Sequence, residues 1–272
     1  MNSMKSKFES LPYNEYFVSR RGAAEVTFEA DYWGEVVDPD GVVRNIGIER
    51  DHKRELASEE LSFINSLSPG KFLDIGCGTG SILEGINDEW DKHGIEVSKY
   101  ATNIAQQYGN VFLGELHEAK YPDEFFDVVF LFHVIEHLKS PLDLLIEARR
   151  VLKSGGWLIV GTPDFDSACA RRFGEKFRLL HDSTHISLFS NDSLHRMLSD
   201  HGFYVDHTAA AFFDTKYFTE ENLLRLFNTD TISPPFYGNI MTKYCKKQSR
   251  EEALSRFDAL HKAFSLAIDG IC

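Results

Sequence analysis

Residues 72–80 read FLDIGCGTG, and this stretch decides the fold more than any other part of the 272-residue chain. An apolar run typical of a buried strand carries the acid Asp74 near its end and leads into a turn with glycine at positions 76, 78 and 80. Glycine lets the backbone turn tightly and lets a ligand approach without meeting a Cβ atom. A helix is predicted directly after the turn, so its free N–H groups would face the same ligand. The pattern indicates a pocket for a nucleotide-like ligand.

The spacing of the glycines distinguishes between two kinds of nucleotide ligand. The dinucleotide fingerprint is G-x-G-x-x-G, and Ser81 stands where its third glycine would be. Asp74 would repel a pyrophosphate, whereas it would attract a ligand that carries a cationic amino-acid group. S-adenosylmethionine is such a ligand, since it is a nucleoside with a sulfonium and an α-ammonium group. A nicotinamide-dependent dehydrogenase is therefore the disfavoured alternative.

Composition and charge limit the classes of protein that the chain can represent. Its hydrophobic content of 43% and charged content of 26% are ordinary globular values. A formal net charge of −13 argues against sequence-independent binding to nucleic acid, which needs clustered Lys and Arg. No signal-peptide pattern and no membrane-spanning apolar run is recognised, so we expect a cytoplasmic protein. The four cysteines are scattered, and we expect free thiols.

Strand and helix patterns alternate along most of the chain. The predicted strands cover residues 71–75, 93–97, 110–113, 125–132, 157–161, 203–208 and 239–244. The predicted helices cover residues 51–67, 81–87, 98–108, 141–152, 191–201, 218–227 and 251–268. Alternating strands and helices predict a parallel α/β sheet, and right-handed crossovers make it doubly wound. In such a sheet a ligand lies at the carboxyl ends of the strands.

The chain divides into four predicted segments. Residues 1–55 form an aromatic-rich extension that either covers a substrate as a lid or packs on the core. Residues 56–208 form the α/β core that would bind S-adenosylmethionine. Residues 209–236 exceed the length that a link between two strands needs, and we interpret them as an acceptor-side insertion. Residues 237–272 supply the last strand and a C-terminal helix.

The glycine turn belongs to a pattern, D-x-G-x-G-x-G, that resembles the first motif of the class I S-adenosylmethionine-dependent methyltransferases. Three further stretches resemble later motifs of that family in the same order: GIEVS at 94–98, VFLGEL at 111–116 and FDVVFLFHVIEHL at 126–138. The stretch LLIEARRVLKSGGW at 144–157 is similar to the family's next helix and turn. The resemblance implies a Rossmann-like methyltransferase fold, with a doubly wound, mostly parallel seven-stranded sheet and helical additions at both ends.

Acids at the ends of the predicted strands indicate how the cofactor is held. Glu96 follows the glycine turn by about twenty residues, where a nucleoside-binding α/β unit needs an acceptor for the ribose hydroxyls. The resemblance implies that Glu115 accepts from the adenine amino group and that Leu116 packs on the ring, although the family more often has Asp than Glu. The predicted cofactor-binding residues are Asp74, Gly76, Cys77, Gly78, Gly80, Glu96, Val97, Glu115, Leu116, Phe132 and His133.

Methyl transfer to an oxygen or nitrogen with an acidic proton needs a base that titrates near neutral pH, and histidine suits this role. The predicted catalytic candidates are His133, His137, His181 and His185. His133 follows the fourth predicted strand, at the mouth of the pocket. His181 and His185 are one helical turn apart and would face one pocket if their segment is helical. No metal is predicted, because no third ligand stands beside this pair.

The resemblance implies S-adenosylmethionine-dependent methyl transfer to an O or N atom of a small metabolite, such as a sugar, a quinone or another biosynthetic intermediate. The stretch HISLFS at 185–190 and Gly202–Phe203 are similar to methyltransferases of this family that act on small molecules. Two alternatives are a module that binds S-adenosylmethionine without catalysis and a methyltransferase that acts on a protein. We expect a small-molecule acceptor, no nucleic-acid or membrane partner, and a monomer or homodimer.

Overall fold

The structure is a computed structural model that describes residues 16–19, 35–37, 43–45, 50–210, 219–234, 240–249, 251–252 and 255. Its strands are β1 (Val18–Ser19), β2 (Glu35–Val37), β3 (Val43–Asn45), β4 (Lys71–Ile75), β5 (Asp91–Glu96), β6 (Asn110–Leu113), β7 (Phe126–Phe132), β8 (Leu152–Pro163), β9 (Ser187–Leu188), β10 (Phe203–Ala209) and β11 (Ile240–Lys247). Its α-helices are α1 (Arg50–Leu56), α2 (Ser58–Ser66), α3 (Ser81–Gly85), α4 (Lys99–Ala105), α5 (Pro141–Val151), α6 (Ala168–Phe173), α7 (Asn191–Asp200) and α8 (Glu220–Arg225). Short 3-10 turns cover Leu116–Ala119, Ile135–His137, Gly174–Lys176 and Arg178–Leu180.

A seven-stranded sheet with the order β10-β11-β8-β7-β4-β5-β6 forms the centre of the molecule. The pairs β4–β5, β4–β7, β5–β6 and β7–β8 are parallel, whereas β11 runs antiparallel to both β8 and β10. The predicted α/β, doubly wound and mostly parallel seven-stranded sheet is therefore confirmed. Chain order reverses between β4 and β7, and in open α/β sheets such a reversal opens a crevice at the carboxyl ends of the strands.

Alternate residues of a strand point to opposite faces of the sheet, and side chains pack against both faces. Leu73 and Ile75 of β4 pack in a cluster with side chains of α5 and α7. Phe72 belongs to the opposite cluster, which includes side chains of α2 and α3. Every residue of β7 except Asp127 is buried, as expected of a central parallel strand.

Most differences from the sequence-based prediction concern boundaries. The helix predicted over 51–67 is two helices, α1 and α2, that meet at Ala57. The turn predicted at 154–156 lies inside β8. Leu152 pairs with Phe126 of β7 and Trp157 pairs with Val128, so the register of β8 shifts across this stretch. Strand β5 ends at Glu96, so Val97 follows the strand rather than ending it. Beyond residues 251–252 and 255, the closing helix predicted over 251–268 lies outside the described residues.

A small part of the aromatic-rich leader is described, and it packs on the core. Strand β1 pairs with β9, and the ring of Phe17 lies 5.4 Å from that of Phe189. The division of the chain into four segments stays a prediction. The described cysteines, Cys77, Cys169 and Cys245, are free, and Cys272 lies outside the described residues. Among the helices of the described residues, none combines the length and the apolar composition that crossing a bilayer requires.

Helix α7 gives a test of the local signals that build this fold. The side chain of Ser190 caps the helix by accepting a hydrogen bond from the N–H of Ser193 at 3.1 Å. Ser190→Ala removes this acceptor, so we expect a loss of about 1 kcal/mol in the free energy of unfolding. Urea denaturation measures the loss. The exposed Ser199→Ala in the same helix is the matched control, with an expected change within about 0.5 kcal/mol. Equal stabilities for both variants would contradict the capping role.

Candidate active site

The glycine turn lies between β4 and α3 and needs glycine for two reasons. Gly76 and Gly80 have φ angles of +71° and +82°, a left-handed conformation that disfavours residues with a Cβ atom. A Cβ at Gly76 would lie 2.5 Å from Val134 Cγ2, and one at Gly80 would lie 2.9 Å from the ring of Tyr108. The turn is thus packed closely against the segment after β7 and against the end of the α4 region.

Glu96, at the carboxyl end of β5, holds the glycine turn in place. Its Oε2 accepts a hydrogen bond from the N–H of Gly78 at 2.8 Å, and its Oε1 accepts one from the N–H of Ser98, also at 2.8 Å. The side chain of Ser98 in turn caps α4. The carboxylate is 6% exposed, and each of its oxygens keeps a second lone pair for a ligand hydroxyl. The residue predicted to hold the ribose therefore also joins β4, β5 and α4.

Asp74 is a buried carboxylate with one oxygen that lacks a partner. The residue is 2% exposed, and no hydrogen bond to its Oδ2 exists among the described residues. Burial raises the pKa of Asp74 to about 7, with the charge of Lys53 lowering it and that of Glu96 raising it further. A buried anion without a partner is unfavourable, so a cation at this oxygen would stabilise the ionised form of Asp74. The α-ammonium group of S-adenosylmethionine is a cationic donor that matches this orphaned oxygen.

The other predicted cofactor residues differ in exposure. Cys77 is 1% exposed, and burial raises the pKa of its thiol well above its usual range, so it contributes backbone rather than a reactive sulfur. Phe132 is buried at the end of β7, whereas Val97 is 52% exposed beyond β5. Glu115 is exposed and caps the 3-10 turn Leu116–Ala119. Leu116 itself is buried in the same core cluster as residues of α5.

His133 follows β7 in a strained backbone conformation. Its φ is +58°, which is uncommon for a residue other than glycine and is frequent at functional sites. Its N–H donates to the carbonyl of Gly161 at 2.9 Å, which fixes the residue against β8. Its side chain is 28% exposed, and its Nδ1 lies 3.0 Å from Oε1 of Glu136. The imidazole thus stands at the carboxyl edge of the sheet, partly open to solvent.

Glu136 is fully buried and stays ionised. Thr162 Oγ1, at the end of β8, donates to its Oε2 at 2.9 Å. Burial alone would raise the pKa of Glu136, but the hydrogen bond from His133 and the charges of His133, His137 and His185 outweigh burial and lower the pKa to about 2. Glu136 lies within the motif at 126–138 but is not among the site residues predicted from the sequence.

His137 and His185 come together beside Glu136, although 48 positions separate them in the sequence. Their ring centroids are 5.0 Å apart, and one potential ligand atom from each of Glu136, His137 and His185 lies within 4.8 Å of the others. Burial lowers the pKa of His185, which favours its neutral form. The expectation of no metal considered the pair His181 and His185, whereas the structure brings His185 together with His137 and Glu136 instead.

His181 does not share this location. It is exposed, and its Nε2 lies 3.0 Å from the carbonyl oxygen of Glu175. The segment 181–186 is not helical, so the shared face that helical spacing would give His181 and His185 does not form. Sequence spacing failed here because the chain leaves the helical path after the short turn Arg178–Leu180.

Comparison with known proteins identifies the family and the fold. Residues 49–208 match the family described as a methyltransferase domain, which is more than half of the chain. A solved chain from a Haloferax volcanii complex with the Trm112 methyltransferase activator aligns with a TM-score of 0.59 at 17% identity, covering 75% of this chain and 93% of that one. At this identity the likeness shows the fold alone.

Curated relatives align over the same region. The chain is 28% identical over 149 residues to the mitochondrial ubiquinone biosynthesis O-methyltransferase of Candida albicans, covering 47% of this chain and 41% of the relative. It is 29% identical over 136 residues to ajmaline N-methyltransferase of Rauvolfia serpentina, covering 44% of this chain and 47% of the relative. A protein of Methanocaldococcus jannaschii is 35% identical over 108 residues, covering 39% of this chain and 51% of the relative. The chain therefore spans about half or less of these relatives' lengths.

The fold, the carboxylates at the strand ends and the family match define the class. The chain belongs to the methyltransferase domain family, whose methyl donor is S-adenosylmethionine, and residues 49–208 are its methyltransferase domain.

The raised pKa of Asp74 predicts how cofactor affinity changes with pH. The carboxyl is neutral below its pKa of about 7 and ionised above it. An α-ammonium group prefers the ionised form, so affinity for S-adenosylhomocysteine should fall as the pH drops below 7, approaching about tenfold per pH unit. Calorimetric titration of the protein between about pH 5.5 and 7.5 measures this.

Two variants distinguish the titration of Asp74 from other effects of pH on the affinity for S-adenosylhomocysteine. Asp74→Asn should bind S-adenosylhomocysteine more weakly and with little dependence on pH, since the amide does not titrate. The exposed Asp88→Asn should retain the wild-type profile. A wild-type affinity that does not change across this range would show that Asp74 does not meet the ammonium group.

Proposed function

We propose that this protein transfers the methyl group of S-adenosylmethionine to an O or N atom of a small molecule, such as a sugar, a quinone or another biosynthetic intermediate. The observation that carries the proposal is the unpartnered Oδ2 of the buried Asp74 beside the glycine turn, at the same sheet edge as His133. The relatives support an oxygen or nitrogen acceptor, because their names describe an O-methyltransferase and an N-methyltransferase of small molecules.

The cofactor side of the proposed site uses residues of four strand ends. Asp74 would hold the ammonium group and Glu96 the ribose hydroxyls, while the glycine turn offers its backbone. Glu115, Leu116 and Val97 would border the adenine, with the exposed Glu115 and Val97 best placed to adjust on binding. Phe132, buried at the end of β7, would form part of the crevice wall.

When bound, S-adenosylmethionine supplies a methyl group on a positively charged sulfonium, which a nucleophile can displace in line. His133 is the proposed base for the acceptor's proton. The carboxylate of Glu136 accepts from Nδ1 of His133 at 3.0 Å, so Nε2 carries the lone pair that takes a proton. The buried Glu136 thereby fixes the tautomer and the orientation of the ring, as the carboxylate partner of a catalytic histidine does in other enzymes.

The described part of the predicted insertion supports its role on the acceptor side. The side chain of Arg172 donates from Nε to the carbonyl of Leu226 at 2.6 Å, and that of Lys176 donates to the carbonyl of Asp230 at 2.7 Å. Ser233 accepts from the N–H of Arg178 at 2.8 Å. Residues 219–234 therefore pack on the segment that leads to His185, next to the proposed acceptor position. The cytoplasmic location, the absence of nucleic-acid and membrane partners, and a monomeric or dimeric state remain part of the proposal.

Methyl transfer can be tested without knowing the acceptor. The full chain is incubated with S-adenosylmethionine labelled in its methyl group and with pools of hydroxylated and amine-containing metabolites. We expect label in a small-molecule product. Tight binding of S-adenosylhomocysteine without transfer to any pool, but with label in protein, would instead favour a protein acceptor. Binding without transfer to either would favour a non-catalytic module.

His133→Asn tests the base with the acceptor found in this way. Asparagine tolerates the left-handed backbone that His133 adopts but cannot take the proton, so we expect kcat to fall by about 10²–10⁴. The affinity for S-adenosylhomocysteine should change by less than about twofold, because the backbone near the cofactor is kept. His195→Asn, an exposed change on α7, is the control. An unchanged kcat in His133→Asn would exclude His133 as the base.

A further inference from the structure

We propose that Glu136, His137 and His185 form a binding site for one divalent transition-metal cation, and that this cation also binds an oxygen atom of the methyl acceptor. The second half of this inference rests on the proposed function. The cation site itself rests only on the side chains described here.

The three side chains offer a typical set of metal ligands. Two imidazoles and one carboxylate leave coordination positions open, as in catalytic zinc sites and in non-haem iron sites. Their potential ligand atoms lie within 4.8 Å of one another. Ligands about 2.1 Å from a tetrahedral cation are about 3.4 Å apart, so side-chain adjustments of about 1 Å would close the site. Nitrogen donors favour Zn²⁺, Co²⁺ or Fe²⁺ over Mg²⁺ and Ca²⁺.

Both imidazoles are held in the orientation that metal-binding histidines adopt. Nδ1 of His137 lies 3.1 Å from the carbonyl oxygen of Thr184, and Nδ1 of His185 lies 2.9 Å from that of Leu179. A carbonyl only accepts, so both Nδ1 atoms carry a hydrogen, and the lone pair of a neutral ring is then on Nε2. Histidines that bind a metal usually donate their other N–H group to such a carbonyl or to a carboxylate.

The segments that carry the ligands are fastened to each other. The N–H of Ile186 donates to the carbonyl of Glu136 at 2.8 Å, and Ser187 Oγ donates to the carbonyl of Leu138 at 2.6 Å. The bond from His137 to Thr184 is a third link between the same two segments. Such links hold a ligand set before the metal arrives, which lowers the entropy that binding must overcome.

Charge balance at the cluster also favours a cation. Glu136 is 0% exposed, and its carboxylate accepts hydrogen bonds from His133 and Thr162. Asp182 adds a second carboxylate, whose Oδ2 lies 3.7 Å from Nε2 of His185. A lone pair that faces a carboxylate is unfavourable unless a cation or a proton lies between them. The two alternatives are therefore a metal ion and a protonated imidazole, and metal titration distinguishes them.

A cation here would assist the proposed reaction in a defined way. Its charge would lower the pKa of a bound acceptor hydroxyl, so that the hydroxyl proton passes to the neighbouring His133. The oxygen then forms a bond to the methyl carbon while the carbon–sulfur bond breaks and its electron pair stays on sulfur. The acceptor would therefore carry an oxygen atom that can bind a metal, which narrows the O- or N-acceptor of the proposed function to an oxygen acceptor.

The test titrates the intact protein, freed of metal with a chelator, with Zn²⁺ and separately with Co²⁺. We expect one equivalent to bind, with a visible Co²⁺ absorption that depends on the site. His137→Gln and His185→Gln should each weaken Zn²⁺ binding by at least about tenfold. The exposed His195→Gln is the matched control and should bind as the wild type does. Glu136→Gln, which keeps the shape of the buried side chain, should also weaken binding.

Binding of S-adenosylhomocysteine to each metal-free variant serves as the check on folding. No stoichiometric metal binding by the wild type, or equal affinity in His137→Gln and the control, would overturn the inference and leave a protonated histidine in its place. Metal binding without any affinity for S-adenosylhomocysteine would keep the cation site and remove the proposed methyl transfer. The two failures are therefore distinguishable.

Discussion

The carboxylate of Glu96 is the interaction on which the rest of the site depends. It accepts hydrogen bonds from the N–H groups of Gly78 and Ser98, and so it fixes the glycine turn relative to the end of β5 and the start of α4. A buried carboxylate must find donors, and here the backbone supplies them. The turn thus lies beside Asp74, whose second oxygen has no partner among the described residues. The structural role and the proposed ribose-binding role thus fall on one side chain, Glu96.

Parallel strands bring all the chemically important groups to one edge of the sheet. Carboxylates lie at the ends of β4 and β5, while His133 and Glu136 follow β7 and Thr162 ends β8. The reversal of chain order between β4 and β7 separates these groups into two halves. The half at β4 and β5 suits a cationic nucleoside, and the half at β7 and β8 suits an acceptor and its proton. Methyl transfer needs these two functions side by side.

The sequence predicted the sheet well and the acceptor side poorly, for a physical reason. Strands β4 and β6 have the bounds that their apolar runs predict, and the cap at Ser98 follows from its position before a helix. These are local signals. The proximity of Glu136 and His185 depends on how a loop folds back on the end of β7, which no spacing rule reveals. Helical spacing instead predicted that His181 shares a face with His185, because no local signal shows that residues 181–186 are not helical.

A crystal structure of the protein with S-adenosylhomocysteine would show directly whether the carboxylates at the strand ends hold the cofactor. We expect that the ligand's amino group contacts Asp74 Oδ2, that its ribose hydroxyls contact Glu96, and that its sulfur faces the side of the crevice where His133 lies. A ligand bound elsewhere, or a crevice filled by protein side chains with Asp74 paired to one of them, would contradict the account.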